Sequence, residues 1–81
     1  MTHDQRECSY TVLLEPDAES GTWTVTVPTL PGVVTQGDSV EDAIAQVREA
    51  IQVHIEGLLA DGEPVPEERQ RPQMVTVRVA A

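Results

Sequence analysis

The 81-residue sequence contains no lysine and no phenylalanine, and it has a single cysteine, Cys8. One cysteine excludes a disulfide within the chain and a zinc cage of several thiolates, and it agrees with a cytoplasmic protein. Five arginines stand against fourteen acidic residues, so the formal net charge is −9. Because nucleic acids are bound mainly through lysine and arginine, we expect no direct nucleic-acid binding by this acidic chain.

Long apolar runs are also missing. No stretch approaches the roughly 20 apolar residues that a membrane helix needs, so we expect no membrane insertion. The first residues are polar and lack the basic and apolar regions of a secretion signal. We therefore expect a frayed or disordered tail over residues 1–8 and one domain over residues 9–81.

Two segments near the start of that domain alternate between apolar and polar residues, as strands do. They are residues 9–15 and 22–27, and the Pro, Asp and Gly between them are typical of a turn. They predict a β-hairpin. Residues 33–36 predict a short third strand. Residues 74–79, Met-Val-Thr-Val-Arg-Val, predict a final strand whose pairing cannot be inferred from the sequence.

One helix is predicted between the third and last strands. Ser39 is a suitable N-cap and Asp42 stands three residues later, as in a capping box with Asp in place of Glu. Asp61 and Gly62 form a typical helix end. Apolar residues recur in steps of three and four, which predicts one buried stripe formed by Val40, Ile44, Val47, Ile51, Ile55 and Leu58.

These elements predict an α+β fold of order β-β-β-α-β, an antiparallel meander covered on one face by the helix. The stripe should meet apolar residues of the hairpin, namely Tyr10, Val12, Leu14, Val25 and Val27. Six residues are interpreted as structural, because turns, close contacts and helix caps demand these residue types: Pro28, Pro31, Gly32, Gly37, Ser39 and Gly62. Glycine at position 32 permits positive φ or the close approach of another group.

Three motifs also carry a resemblance to a known family. They are Val-Pro-Thr-Leu-Pro-Gly at 27–32, Gly-Asp-Ser-Val-Glu-Asp-Ala at 37–43 and Asp-Gly-Glu-Pro-Val-Pro at 61–66, and they follow a Tyr-led strand. Each motif is weak alone, but the three in this order are fairly specific. The sequence resembles the N-terminal domain of HicB-type antitoxins over residues 10–79.

The resemblance implies a degraded ribonuclease H-like fold. It also implies binding to HicA, a small basic toxin that cleaves messenger RNA and carries a catalytic His. Most HicB proteins append a C-terminal DNA-binding module, ribbon-helix-helix or helix-turn-helix. No such module follows the last predicted strand here, so we expect a stand-alone form. Because a small sheet has free edges that tend to pair, we also expect a homodimer or homotetramer.

No catalytic, cofactor-binding or metal-binding residues are predicted. A ribonuclease H-like metal site would need clustered carboxylates, and Glu15 and Asp38 are the best candidates to meet at one sheet edge. His54 flanks the apolar stripe and is interpreted as structural or exposed. The candidate partner interface consists of Trp23, Asp38, Glu41, Glu49 and Glu56, although Trp23 is interpreted first as a core residue.

The function predicted is therefore that of an antitoxin-like protein-binding module, not an enzyme. Two alternatives stay open. One is an orphan HicB-like domain with another protein or a small-ligand partner, which a sizeable apolar pocket would favour. The other, less favoured, is a residual metal-dependent nuclease on the same fold.

Overall fold

The structure, a computed structural model, describes residues 8–81 and contains one sheet and one helix. The strands are β1 (Leu13–Pro16), β2 (Trp23–Thr26) and β3 (Val34–Gly37), and the helix is α1 (Val40–Ala60). Apart from Cys8, which is exposed, the predicted frayed tail lies outside the described residues.

The sheet is an antiparallel meander of order β1-β2-β3. Leu14 pairs with Val25, and Val25 pairs with Thr35, so these three residues form one row across the sheet. The hairpin predicted from residues 9–15 and 22–27 is confirmed, although its strands are shorter than expected. Its turn is held by the Asp17 carboxylate, which accepts from the Glu19 N–H at 3.0 Å; this bond lowers the pKa of Asp17.

The helix is capped as the sequence predicts at both ends. The Ser39 side chain accepts from the Asp42 N–H at 3.0 Å. Asp42 reaches back to the N–H of Asp38 at 2.9 Å. At the other end Gly62, with φ of 69°, donates to the Leu59 carbonyl, and the Glu63 N–H donates to the Leu58 carbonyl. This pair of bonds is a Schellman motif.

The junction between β3 and α1 explains two small residues of the second motif. A Cβ atom at Gly37 would overlap the backbone of Ala43 in the first turn of the helix. Ala43 itself is completely buried. Glycine at 37 and alanine at 43 therefore let the start of the helix lie directly on the end of β3.

That close contact also shifts the buried face of the helix from the predicted stripe. The buried helix residues are Ala43 and Val47, whereas Val40 and Ile44 are 37% and 38% exposed. The prediction that all six stripe residues are buried is therefore wrong for Val40 and Ile44, whereas Val47 is buried and Ile51 packs against the core. The small Ala43 is at the centre of the helix–sheet contact, and its larger neighbours are turned to the flanks.

The core is formed mainly by β2 and the corner after it. Its buried residues are Val25, Val27, Leu30, Val33, Ala43 and Val47. Leu14 of β1, together with Tyr10 and Val12 just before that strand, packs against this cluster, as predicted. Leu30, which lies between Pro28 and Pro31, is 1% exposed and is part of the core. Two turns hold it there: the Leu30 N–H donates to the Val27 carbonyl, and the Val33 N–H donates to the Leu30 carbonyl.

One further expectation is wrong. Residues 74–79 form no strand within the described chain; Met74, Val75, Val77 and Val79 are 72–82% exposed. An apolar alternation specifies a strand only where an edge is available to pair with it. Gly32 has neither positive φ nor a backbone contact, and a Cβ there would meet only His54 Cε1 at 3.8 Å.

Candidate functional site

The exposed acidic side chains of the helix form the first candidate site. Glu41, Glu49 and Glu56 are all exposed, and Asp38 is exposed just before the helix cap. On a helix of 3.6 residues per turn, the three glutamates fall within about 80° of one another around the axis. We call these four residues the acidic helix face. It can attract a basic partner, and this attraction is stronger at low ionic strength.

Beside this face, an open groove of about 400 Å³ lies between residues 46–54 of the helix and residues 32–35. Glu49 and Val53 line it from the helix, with His54 nearer the core and Thr35 on the strand. Val53 is 62% exposed, so an apolar side chain stands next to the acids without cover in the described chain. Such a combination suits contact with another protein better than enclosure of a small molecule.

Trp23 lies elsewhere, on the face of β2 that carries Val25. It is half-buried and packs against the core beneath the helix. Trp23 is the cross-strand partner of Gly37, next to Asp38, whereas Glu41, Glu49 and Glu56 are exposed on the helix. Its position supports the interpretation as a core residue.

The structure does not bring together the two acids considered for a metal site. Glu15 is on β1 and Asp38 follows β3, at opposite edges of the sheet. Neighbouring strands are about 4.8 Å apart, so two strand spacings separate these edges. These two best candidates for a metal site therefore do not meet. Within residues 8–81, no group of three or more His, Cys, Asp or Glu side chains could hold a metal ion.

A second polar cluster, which the sequence did not indicate, is centred on Glu68. Its carboxylate accepts from the Thr11 N–H at 2.7 Å, the Thr11 hydroxyl at 2.6 Å and the Thr29 hydroxyl at 3.2 Å. The side chain is 2% exposed, and exposed Arg71 lies 4.0 Å away. The hydrogen bonds from Thr11 are the main reason that the pKa of Glu68 is lowered. We call this cluster the Glu68 clamp.

The register explains why the clamp is needed. Leu13 pairs with Thr26, so two residues earlier Thr11 would pair with Pro28. The chain turns away into the corner at Pro28, and the Thr11 N–H loses a strand partner. The Glu68 carboxylate satisfies that donor from a distant part of the chain, as buried donors require. Tyr10 adds a second tie, because its hydroxyl donates to the Pro66 carbonyl at 2.6 Å.

No helix in the described part of the chain has the length and apolar character to cross a membrane. Together, the fold and its surface define a small α+β domain that presents acidic and apolar side chains on one flank of its helix.

Comparison with known proteins assigns the domain. Residues 10–77 match the family described as the HicB_like antitoxin of bacterial toxin-antitoxin systems, and the chain belongs to this family. A UPF0150 protein of Synechocystis is 45% identical over 60 residues, which are 74% of this chain and 75% of that protein. A UPF0150 protein of Thermoplasma acidophilum is 40% identical over 68 residues, 84% of this chain and 94% of the relative.

The fold also matches a solved structure of the same family. The N-terminal domain of the Burkholderia pseudomallei antitoxin HicB superposes with a TM-score of 0.64 and 37% sequence identity. The match covers 76% of this chain and 69% of that one. The resemblance seen in the sequence is therefore confirmed, and an antitoxin role follows for the family in general.

Proposed function

We propose that this chain is an antitoxin that neutralises a small basic toxin of the HicA type, which cleaves messenger RNA. The observation that carries the proposal is membership of the HicB-like family over residues 10–77. The acidic helix face supplies the complementary chemistry, since a toxin that binds RNA carries positive charge where its substrate lies. By covering that surface, the domain would exclude the RNA.

The contact is proposed to involve Asp38, Glu41, Glu49 and Glu56, with exposed Val53 as an apolar neighbour. Charges at the rim of an interface mainly accelerate encounter, whereas buried apolar contacts slow dissociation. We therefore expect toxin binding that weakens as salt is raised. The proposed role requires no catalysis by this chain and no cofactor, and it operates in the cytoplasm, where messenger RNA is the target.

The proposal also includes self-association as a homodimer or homotetramer. An 81-residue domain buries only about 60–65% of the surface that its unfolded chain exposes, and both edges of this sheet are unpaired within the described chain. A second copy would cover such edges. Light scattering that showed only monomer at high concentration would contradict this part.

The test of neutralisation is co-expression with the small basic protein encoded beside this chain, scored by bacterial growth and by co-purification. Glu49→Lys combined with Glu56→Lys should weaken rescue and binding. The matched control is Glu15→Lys combined with Glu19→Lys, which makes the same charge change at exposed positions of the hairpin, away from the helix. No binding to any such neighbour, or equal loss in both double variants, would contradict the proposed contact.

A further inference from the structure

The last part of the chain carries an apolar alternation that the described chain leaves uncovered. All residues from 69 to 81, here called the C-terminal arm, are exposed. Val75, Val77 and Val79 are 76%, 72% and 78% exposed and alternate with polar residues, which is the pattern of a strand with one buried face. A β-prone segment of this kind tends to pair with any open sheet edge.

The arm starts near the N-terminal end of β1, and the outer edge of β1 is one such open edge. The Glu68 clamp and the Tyr10 bond to Pro66 fix the chain just before the arm at the start of β1. Pro72 follows in the arm, and the residue before a proline favours an extended conformation over a reversal. The arm is exposed throughout and pairs with no strand of its own sheet.

The outer edge of β1 has backbone groups available for a further strand. Asp17 donates to the Thr22 carbonyl, in register with the β1–β2 ladder. Because these groups alternate along a strand, those of Val12 and Leu14 point away from β2. Nothing in the described chain pairs with that side of β1.

The core is also incomplete at this edge. Val12 and Leu14 are only half-buried, although they face the same side of the sheet as fully buried Val25. On the helix, Glu49 and Val53 lie on the flank that faces β3, beside the buried residues Ala43 and Val47. Ile44 and Ile51 are on the opposite flank of the helix, and Ile44 is 38% exposed. An added strand with valines facing inward would extend the core here.

Charge favours a second copy as the source of that strand. Residues 69–81 contain three arginines and no acid, whereas residues 1–68 contain two arginines and fourteen acids, a net charge of −12. An arm with a net charge of +3 is complementary to the acidic body of a second copy. The same charge makes it a poor ligand for a basic toxin.

We propose that two copies of this chain exchange arms, so that residues 74–79 of each add as a fourth strand to the β1 edge of the other. In each copy the arm base lies at one end of β1, the strand whose outer edge accepts the arm, so one two-fold axis beside β1 permits both exchanges. The reciprocal geometry matters because one six-residue arm is far smaller than the 20 to 30 residues a side of a standard interface. This inference specifies the oligomer proposed above and does not depend on toxin neutralisation.

The first test is the mass of the protein in solution, by analytical ultracentrifugation over a wide dilution series. Val77→Glu places a charge on the inward face of the arm, and Thr76→Glu places the same charge on its outward face. Wild type and Thr76→Glu should be dimeric. Val77→Glu should weaken the dimer by about 100-fold, since each dimer loses the valine contact twice. A monomeric wild type, or equal effects of both variants, would overturn the exchange.

The second test identifies the acceptor edge by disulfide formation between differently tagged chains, in a Cys8→Ser background. One chain carries Thr76→Cys or Arg78→Cys in the arm. The other carries Glu15→Cys on β1 or Gln36→Cys on β3, two exposed positions in one row of the sheet. Cross-links to residue 15 are expected. Cross-links to residue 36 instead would reject the β1 edge. Because neither test reads toxin neutralisation, failure here is distinguishable from failure of the proposed function.

Discussion

Substitution of Gly37 by alanine tests whether the β3–α1 junction depends on direct backbone contact. The added Cβ would overlap the backbone of Ala43 and lie 2.9 Å from its Cβ. Carbon atoms pack at about 3.5–4.0 Å, so the first turn of the helix would have to retreat by about 1 Å. The obstructing atoms are backbone and cannot rotate away, unlike the end of a flexible side chain.

Overpacking of this kind costs about 1–3 kcal/mol, and the rigid neighbour places Gly37→Ala near the upper end. In a domain of this size, 1 kcal/mol shifts Tm by about 4–8 °C, so we expect Tm to fall by about 12–24 °C. The measurement is thermal unfolding followed by far-ultraviolet circular dichroism, at one fixed protein concentration because self-association would stabilise the fold.

Gly57→Ala provides the matched control, since it makes the same chemical change within the helix. A Cβ at 57 would meet nothing within 4 Å. There alanine should stabilise the helix by about 1 kcal/mol through its higher helix propensity. A Tm for Gly37→Ala within a few degrees of wild type would refute the contact at Ala43, and a large loss in Gly57→Ala would refute the reasoning about space.

Three further predictions concern the core, the cap and the clamp. Trp23→Ala should lower the free energy of unfolding by about 2–3 kcal/mol in urea titrations, because Trp23 is half-buried against the core; unchanged stability together with lost toxin binding would instead make it an interface residue. Ser39→Ala should cost about 1 kcal/mol, measured in the same titration, by leaving the Asp42 N–H without its acceptor; Ser20→Ala, in the exposed hairpin turn, should cost much less. Glu68→Gln should be less stable than wild type at neutral pH, and trypsin should cleave it faster after Arg69 because the chain there is held less firmly. Because the folded pKa of Glu68 is lowered, the stabilisation by its carboxylate is present above the ordinary pKa of 4.5 and is lost as pH falls through the folded pKa. The difference in Tm between wild type and Glu68→Gln should therefore shrink with acidification, and a difference independent of pH would contradict the role of the charge.

The features that the sequence predicted well are local ones. The hairpin turn, the Ser39 cap and the Gly62 helix end each depend on a few neighbouring residues with well-defined backbone preferences. Their positions in the structure agree with the sequence pattern to within a few residues. The family resemblance depends on the same turns and caps, which is why short motifs sufficed to identify it.

Features that depend on contacts between distant residues were missed. Glu68 meets Thr11 across 57 positions, and no pattern around either residue indicates the other. The buried face of the helix shifted because Gly37 permits close contact at Ala43, an effect that helical periodicity alone does not contain. The segment 74–79 has the composition of a strand, but composition does not specify a pairing partner.

Of the candidate interface, the sequence located the acidic residues but not their arrangement. Periodicity placed Glu49 and Glu56 outside the core, and both are exposed. The groove beside Val53 could not be inferred, because it depends on where the helix axis crosses β3. Trp23 was ambiguous because both faces of a two-strand ribbon can hold an aromatic residue, and only the helix position decides between them.

The Glu68 clamp has a consequence for synthesis of the chain. Thr11 and Thr29 are translated well before Glu68, so on the ribosome the hairpin and its corner exist first without the carboxylate that they share. Until residue 68 emerges, the amide of Thr11 has only water to bond. Completion of the sheet's capping thus waits for nearly the whole polypeptide, and a nascent chain halted after the helix would carry an unfinished end on its first strand.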